Sequence, residues 1–436
     1  MIEHLYQKFT ETGKVCTDTR NIIQGSIFFA LKGPNFNANL FAIEALNRGA
    51  AFAVIDEDIN VSDNRLILVD DVLTALQQLA TYHRKKFDIP VIAVTGTNGK
   101  TTTKELLKRV LSKKYNTLAT VGNLNNHIGV PLTLLSIDKT TTAAVIEMGA
   151  NHQKEIEMLC KIAEPTHGLI TNVGKAHLEG FGSFEGVIKG KTEMYTYLKN
   201  SKGVIFCNYD NQLLQPLCAG YDKVFYYGTS DMADIKGTLL NEDSFLKLKW
   251  RQKKTATEYD VSTQIAGRYN FENLLAALAV GCYFNVEAEL INNAIETYIP
   301  SDQRSQLIKK GSTSIMLDAY NANPTSMREA ILNFDKNFVS PKIVLLGDMF
   351  ELGNDELEEH RQLIMLLKEC NFNKVVLVGE RFAVHKGLID ALFFENSKQA
   401  GQWLSQQNIS NTNILIKGSR GSKMELVLQH QVPDSF

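Results

Sequence analysis

The fold is decided by Val91-Ile92-Ala93-Val94-Thr95-Gly96-Thr97-Asn98-Gly99-Lys100-Thr101-Thr102-Thr103. Its first five residues are apolar or β-branched, which predicts a buried strand that ends before Gly96. Residues 104–114 then predict a helix, and one face carries the apolar residues Leu106, Leu107, Val110 and Leu111. A strand, a glycine-containing loop and a helix in this order predict a loop that binds phosphate.

The loop has the residue types that bind a nucleotide triphosphate. Glycine lets backbone N–H groups curl around a phosphate, and the N-terminus of the following helix adds a partial positive charge. Lys100 can reach the β- and γ-phosphates, and the Thr101 hydroxyl can ligate Mg²⁺. The spacing is the short form G-x-x-G-K-T, because the usual longer loop would require glycine at Val94. The predicted nucleotide contacts are Gly96, Thr97, Asn98, Gly99, Lys100, Thr101 and Thr102.

The composition predicts a soluble protein with more than one domain. A chain of 436 residues exceeds one ordinary core, and its apolar content of 44% is typical of globular proteins. The net charge of −2 implies no general attraction to nucleic acid or anionic membrane. Neither a signal-peptide pattern nor an apolar run near the ~20 residues of a membrane helix is visible. Six scattered cysteines without a C-x-x-C pair favour reduced thiols and a cytoplasmic location.

Alternating strand and helix patterns predict an α/β protein of three domains. Residues 1–88 form a small α/β domain, residues 89–300 a central domain with a mostly parallel P-loop-type sheet, and residues 301–436 a Rossmann-like, doubly wound domain. The strands of the last domain are predicted to end in polar motifs at 318–324, 347–353, 379–380 and 417–420. Ligand sites of such sheets lie at the carboxyl ends of the strands, so these polar ends favour one shared site.

Candidate site residues of the central domain follow from their positions. Glu147 ends a predicted strand after the phosphate loop, which suits Mg²⁺ better than the alternative of a solvated acid. Asn125 and Asn126 lie in a segment too rich in Gly and Asn for a regular element, which predicts ligand contacts. His177 follows the next strand, and this position alone favours a role for it at the ligand site. By composition, Lys191 belongs to a charged helix face.

Two further segments are candidates. Asp18, Thr19 and Arg20 combine an acid, a hydroxyl and a guanidinium that could bind a sugar or nucleotide hydroxyl and a phosphate, although a solvated turn is the more frequent explanation. Asn270 and Asn273 are three residues apart at the start of an Ala/Leu-rich helix, so they share one face of it.

The loop at 96–101 resembles that of the Mur ligases and folylpolyglutamate synthases, a family of ATP-dependent amide-forming enzymes. Motifs in all three domains, at 122–131, 318–324, 346–353 and 417–420 among others, are similar to those of the members that add D-alanyl-D-alanine to UDP-N-acetylmuramoyl-tripeptide (UDP-MurNAc-tripeptide). The resemblance implies these two substrates, ATP and Mg²⁺, and a role in peptidoglycan precursor synthesis. It also implies a monomer and an acyl phosphate intermediate, with no nucleophilic side chain.

The resemblance implies residue roles as well. Two Mg²⁺ ions would be held by Thr101, Glu147, His177 and a carbamylated Lys191. UDP would bind Asp18, Thr19 and Arg20, and the other substrate contacts would be Asn125, Asn126 and one or more of Lys417, Ser419 and Arg420, as partners of the D-alanyl-D-alanine carboxylate. ATP would further contact Asn270, Asn273, Arg304, Asp318 and Asn321. The sequence departs from the family pattern at Tyr269, where a His is common, and at 37–41, where Asp-Gly-His-x-Phe is common.

Two alternatives stay open. Another amide ligase of the same family would use a different acceptor, and the motifs at 318–324 and 122–131 disfavour it. A nucleotide-switch P-loop NTPase with a protein partner would hydrolyse ATP without any acceptor, and the short loop disfavours it.

Overall fold

The computed structural model describes residues 1–241, 245–301, 303–407 and 409–429. Within them the strands form sheets of four, nine and six strands and one two-stranded hairpin. Each of the three sheets lies within one of the predicted domains. The domain limits themselves stay a prediction, and the last limit, 436, lies outside the described residues.

The N-terminal sheet is small and parallel. Its strands are β1 (Val15–Cys16), β2 (Ile27–Phe29), β5 (Phe52–Ile55) and β6 (Leu66–Leu68), and a hairpin of β3 (Lys32–Gly33) and β4 (Phe36–Asn37) lies between β2 and β5 in the chain. The order is β1-β2-β5-β6, and each neighbouring pair is parallel. The helices are α1 (Ile2–Thr12), α2 (Ala42–Asn47) and α3 (Val72–Arg84).

Helix α3 joins this sheet to the central domain. Its buried residues Leu76 and Leu79 belong to the same apolar core as Val130 and Ile156 of the next domain. At its C-terminal end the buried Arg84 donates hydrogen bonds to the carbonyls at 87, 89, 163 and 164. The first two domains therefore share a continuous core across the predicted limit at 88.

The phosphate loop follows β7 (Val91–Thr95), an inner strand of the central sheet. The strands of this sheet are β7, β8 (Thr117–Ala119), β9 (Ala143–Glu147), β10 (His167–Ile170), β11 (Val204–Asn208), β12 (Val224–Gly228), β13 (Ile235–Asn241), β14 (Lys247–Gln252) and β15 (Glu258–Ser262). Their order is β15-β14-β13-β12-β11-β10-β7-β9-β8. Within the described part of this sheet, the antiparallel pairs are β13-β14 and β14-β15. The mostly parallel character of this sheet agrees with the sequence prediction, and the antiparallel pairs lie at one edge.

Helices cover both faces of this sheet. They are α4 (Lys100–Leu111), α5 (Gly129–Leu134), α6 (Glu155–Ala163), α7 (Leu178–Phe181), α8 (Phe184–Asn200), α9 (Phe271–Tyr283) and α10 (Ala288–Glu296). Helices α4, α9 and α10 share one apolar core, and α5, α6 and α8 lie in the core that includes α3. Burial on both faces explains why strands such as β7 are continuous apolar runs in the sequence.

The C-terminal sheet is doubly wound, as predicted. Its strands are β16 (Gln306–Lys310), β17 (Thr313–Asp318), β18 (Lys342–Gly347), β19 (Lys374–Val378), β20 (Leu392–Phe394) and β21 (Asn413–Lys417), and its helices are α11 (Pro324–Asn337), α12 (Glu356–Glu369), α13 (Glu380–Ala383) and α14 (Ser397–Ser405). The order is β16-β17-β21-β18-β19-β20, with β16 antiparallel to β17. The sequence predicted four of these strands. The two others, β16 and β20, are edge strands that lack a buried apolar run.

Two sequence expectations concern membranes and cysteines. In the described ranges, no helix combines the length and the apolar character needed to cross a bilayer. The six cysteines, all of them in these ranges, are unpaired.

Candidate active site

The phosphate loop lies between β7 and α4, and the residues after β10 hold it in place. The side chain and backbone of Asn172 make three hydrogen bonds to the loop: the carbonyl accepts from the Thr97 N–H (2.9 Å), Oδ1 accepts from the Asn98 N–H (2.9 Å), and Nδ2 donates to the Asn98 carbonyl (3.1 Å). Gly96 must be glycine, because a Cβ there would lie 2.0 Å from Thr171 Oγ1. The Lys100 amine donates to the carbonyls of Gly96 and Thr97 (2.8 and 3.0 Å), and burial lowers its pKa to about 8.

Gly99 tests how tightly this loop is built. Its φ is +79°, and a Cβ would lie 2.6 Å from Asn273 Oδ1; Gly182 has nearly the same φ, +78°, but faces open space. We expect Gly182→Ala to lower the free energy of unfolding by about 1 kcal/mol, the cost of a left-handed side chain. Gly99→Ala should lower it further and weaken ADP binding at least tenfold, since Asn273 must move. Chemical denaturation and calorimetric titration of ADP measure both; equal effects of the two variants would contradict the tight contact.

The buried acid predicted from strand β9 faces the loop. Glu147 is 1% exposed, and its carboxylate accepts a hydrogen bond from the Thr101 hydroxyl (3.0 Å) and one from Asn125 Nδ2 (2.8 Å). Its backbone N–H donates to Thr120 Oγ1 (2.9 Å). The structure thus brings three predicted site residues from three separate segments together, and two of them are oxygen donors of the kind that Mg²⁺ prefers.

These residues open into a cavity of about 410 Å³, here called the Glu147 cavity. It is lined from the central domain by Thr101, Asn125, Asn126, Glu147 and His177, among others, and from the C-terminal domain by Arg304, Tyr320, Asn321 and Asn323. Asn323 caps α11, and its Nδ2 donates to Asn98 Oδ1 of the loop (2.8 Å). The cavity is therefore built by two domains in contact.

His177 and Lys191 occupy different places at this cavity. His177 lines it, and Nδ1 of its ring contacts the carboxylate of Glu351 from the C-terminal domain, which lowers the pKa of Glu351. Lys191 is 1% exposed and lies beneath the wall, where its amine donates to the carbonyl of Ala150 (3.0 Å). The expectation from composition, a charged helix face, is wrong for Lys191. Burial, helped by the charge of Lys100, lowers its pKa well below the usual value.

The side chains at the Glu147 cavity supply some of the ligands that a Mg²⁺ ion needs. Among the described residues, no group of three or more His, Cys, Asp or Glu is close enough to enclose a metal ion. Mg²⁺ commonly takes only one or two protein carboxylates and completes its shell with phosphate and water. Glu147 with the Thr101 hydroxyl meets that requirement beside the phosphate loop.

A second cavity of about 480 Å³, the Tyr269 cavity, continues on the other side of the loop. Its lining includes Thr102, Tyr269, Asn270, Asn273, Arg304, Asp318, Asn321 and Lys417. Asn273 Nδ2 donates to Asn270 Oδ1 (2.9 Å), and the Thr103 hydroxyl donates to Asn273 Oδ1 (3.1 Å). The asparagine pair therefore braces α4 against α9 at the edge of the cavity. Arg304 stacks on Tyr320 (3.8 Å), and its buried Nε has no hydrogen-bond partner among the described residues.

The three acceptor-site candidates have different surroundings. Lys417 is buried and donates to Asp318 (2.5 Å) in the Tyr269 cavity, so the structure does not bring it to the Glu147 cavity. The Ser419 hydroxyl donates to the Ala322 carbonyl (2.9 Å) and accepts from the Phe350 N–H (3.2 Å), so it supports a loop. Arg420 is 65% exposed and lies 5.7 Å from the ring of Tyr320.

The N-terminal candidates lie elsewhere. Asp18 and Arg20 form an exposed ion pair (2.8 Å) that lowers the pKa of Asp18 to about 2, and the Thr19 carbonyl accepts from Arg48. None of Asp18, Thr19 and Arg20 lines either cavity. Asn126 lines the Glu147 cavity, and its Oδ1 accepts from the Ile128 and Gly129 N–H groups.

Comparison with known proteins agrees with this arrangement. Residues 94–281 match the Mur ligase middle domain, and residues 303–420 match the Mur ligase glutamate ligase domain. Over 427 residues the chain is 35% identical to UDP-N-acetylmuramoyl-tripeptide–D-alanyl-D-alanine ligase of Bacillus subtilis (strain 168), which covers 95% of this chain and 92% of that one. This chain belongs to the Mur ligase family. It is an ATP-dependent ligase, because Mur ligases are.

Solved structures of other Mur ligases have the same fold. MurF from Acinetobacter baumannii superposes with a TM-score of 0.87 at 32% identity, over 95% of this chain and 92% of that one. MurF from Thermotoga maritima, solved in complex with ADP, gives 0.84 at 26% identity, over 96% and 97%. The predicted α/β fold class of this Mur ligase is confirmed.

No role was predicted from the sequence for Asn172, Tyr320 or Glu351, although each stands at the site of this Mur ligase. All three lie at or just after the carboxyl end of a strand, and two of them belong to polar motifs that the sequence displays. The sequence could have indicated them as polar residues at the carboxyl edge of a predicted sheet. It could not show which distant residue each of them contacts.

Proposed function

We propose that this Mur ligase joins the terminal carboxylate of UDP-MurNAc-tripeptide to the amine of D-alanyl-D-alanine. The carboxylate oxygen attacks the γ-phosphorus of ATP, ADP leaves, and an acyl phosphate forms. The amine then attacks the acyl carbon, phosphate leaves with the former carboxylate oxygen, and the nitrogen loses a proton. The names of its relatives support the substrates, and the observation that carries the proposal is the Glu147 cavity, which joins the phosphate loop to a face of the C-terminal domain.

The residues of this chain would hold the reacting groups in position and offset their negative charge. The Lys100 amine lies at the loop and would move from its carbonyl partners to the phosphates, while the loop N–H groups hold them. The nucleoside would lie in the Tyr269 cavity against Asn270, Asn273, Asp318 and Asn321. Arg304 Nε, which hydrogen-bonds to none of the described residues, suits a phosphate oxygen. Two anions react with each other here, so such positive groups lower the barrier.

Two Mg²⁺ ions are proposed, one at Thr101 and Glu147 and one near Glu147, His177 and a carbamylated Lys191. Bound Mg²⁺ would polarise the γ-phosphate and offset its repulsion of the carboxylate. The lowered pKa of Lys191 favours the neutral amine, which is the form that adds to CO₂. A carbamate would extend the side chain from beneath the wall and convert a cation into an oxygen ligand.

The other parts of the proposal concern the whole chain. The N-terminal domain, 1–88, would bind the UDP moiety with Asp18, Thr19 and Arg20, and 89–300 and 301–436 would form the ATP and acceptor domains. Action as a monomer is also part of the proposal. Cytoplasm, where ATP is supplied, is the proposed location.

Phosphate release tests the function. We expect release from ATP only when UDP-MurNAc-tripeptide and D-alanyl-D-alanine are both present, with a UDP-MurNAc-pentapeptide found by mass spectrometry. Release with ATP alone, unchanged by either compound, would instead favour a nucleotide switch. Turnover with another amino acid and none with the dipeptide would keep the ATP chemistry and refute the acceptor.

Arg420 is the proposed partner of the dipeptide carboxylate, since Lys417 and Ser419 are buried and hydrogen-bonded, whereas Arg420 is 65% exposed and has one long ion-pair contact, to Glu425 (3.6 Å). We expect Arg420→Met to raise the KM for D-alanyl-D-alanine about tenfold or more, the equivalent of ~1.4 kcal/mol, and to leave the KM for ATP unaltered. Arg361→Met is the matched control, because Arg361 is an exposed, ion-paired arginine of the same domain. An unchanged dipeptide KM in Arg420→Met would remove Arg420 from the acceptor site.

A further inference from the structure

The polar motif at 347–353 has no role in the reaction described above, yet hydrogen bonds hold three of its successive residues in place. The Asp348 carboxylate accepts hydrogen bonds from the N–H groups of Arg381 and Phe382 (3.1 Å each). The N–H of Met349 donates to His360 Nε2 (3.0 Å), and that of Phe350 donates to Ser419 Oγ (3.2 Å). Glu351 follows these pinned residues, with a left-handed backbone at φ +63°. Its position is therefore set by the C-terminal domain.

Glu351 meets the central domain twice: its backbone carbonyl accepts from the Glu179 N–H (3.4 Å), and its carboxylate reaches the ring of His177. The carboxylate contacts Nδ1, a buried atom that forms no ordinarily aligned hydrogen bond with any described residue, so this close contact is the polar interaction seen at Nδ1. His177 also has a left-handed backbone, at φ +51°, and its ring lines the Glu147 cavity. In a neutral imidazole, a carboxylate at Nδ1 favours the proton on Nδ1 and leaves the lone pair on Nε2.

We infer that Glu351 is a positioning residue, supplied by the C-terminal domain, which fixes His177 in the tautomer whose Nε2 lone pair is free for the Glu147 cavity. This inference rests on the proposed role of His177 and adds a condition to it: the ring is prepared only while the C-terminal domain is docked. A metal-binding His commonly donates its other ring N–H to a carboxylate. In this chain the carboxylate belongs to a different domain from the His. Docking of the C-terminal domain onto the central domain therefore also sets the tautomer of His177.

The same pair of domains offers a matched control. Lys175 of the central domain forms an ion pair with Glu359 of the C-terminal domain (2.7 Å). Neither residue lines the Glu147 cavity. Glu359→Ala therefore removes an acidic contact between the same domains and leaves His177 and Glu351 in place.

Long-range ¹H–¹⁵N NMR of the full-length, metal-free protein, with ¹⁵N in its histidine rings, tests the inference. The signals that disappear in His177→Gln assign His177. We expect a protonated Nδ1 in the unaltered protein and in Glu359→Ala, and loss of this preference in Glu351→Ala. A tautomer that stays unchanged in Glu351→Ala, or that is lost equally in Glu359→Ala, would overturn the inference.

Kinetics give a second readout. We expect Glu351→Ala to lower kcat about 10- to 100-fold at saturating substrates, with the KM for ATP nearly constant. Glu351→Gln should recover most of the rate, because its amide oxygen still accepts a ring N–H. A Gln variant as slow as the Ala variant would contradict positioning through Nδ1. If the protein did not ligate D-alanyl-D-alanine at all, the NMR comparison would still decide the role of Glu351, so the two failures are distinguishable.

Discussion

Lys191→Met is expected to lower the rate of ATP-dependent ligation by about 10²- to 10³-fold, the usual effect of removing one group that stabilises charge in the transition state. The buried methylene stem of Lys191 is replaced by an apolar side chain of similar length, so the fold should be kept. What is lost is a buried amine whose pKa is lowered by burial, a shift toward the neutral form that adds to CO₂. Initial rates of phosphate release with both substrates measure the effect.

The matched control for this prediction is Lys189→Met. Lys189 lies on the same helix, two residues away, but is exposed to solvent, so its loss should alter the rate less than about twofold. In ¹³C-bicarbonate, the unaltered protein and Lys189→Met should both show a carbamate carbon by NMR, and Lys191→Met should lack it. A signal that persists in Lys191→Met would assign the carbamate to another lysine, and full activity without any signal would exclude carbamylation.

The parts of the site that the sequence predicted are those determined by local order. The loop at 96–101 follows one buried strand and Glu147 ends another, so the neighbouring residues fix their places at one edge of the sheet. The same reasoning found the strand ends of the C-terminal domain. Packing on both faces makes such strands apolar throughout, and this is what makes them visible in the sequence.

The parts that the sequence did not predict depend on contacts between distant segments. Lys191 looks like its exposed neighbour Lys189, and only its packing beneath Ala150 makes it a buried amine. Lys417 lies at a strand end, as predicted, but its amine donates a hydrogen bond to Asp318 of the neighbouring strand. Edge strands such as β16 carry no buried apolar run and so leave no periodic pattern.

Glu147→Gln is expected to slow ligation by about 10²- to 10³-fold without unfolding the protein. The two side chains have the same shape. The amide oxygen of Gln can still accept from Asn125 and its nitrogen can donate to the Thr101 oxygen, whereas the negative charge is lost. Loss of the negative charge weakens binding of Mg²⁺ far more than it weakens a hydrogen bond to a neutral donor. The Mg²⁺ concentration that gives the half-maximal rate should therefore rise at least tenfold. Rates over a Mg²⁺ series, with thermal melting as a check of folding, measure this.

Glu193→Gln separates the loss of a charge from the loss of a ligand. Glu193 accepts the N–H groups of Lys154 and Glu157 (2.6 and 3.0 Å) and does not line the Glu147 cavity. Its isosteric change removes an equal charge from helix α8 near Lys191, and the Mg²⁺ dependence should stay as in the unaltered protein. If Glu147→Gln behaved like Glu193→Gln, the carboxylate of Glu147 would serve only to align Thr101 and Asn125, and the metal would have to be held by other groups. A tenfold shift confined to Glu147→Gln would instead tie the buried acid to the metal, because Gln keeps a contact with each partner, reversed in direction at Thr101, and lacks the negative charge.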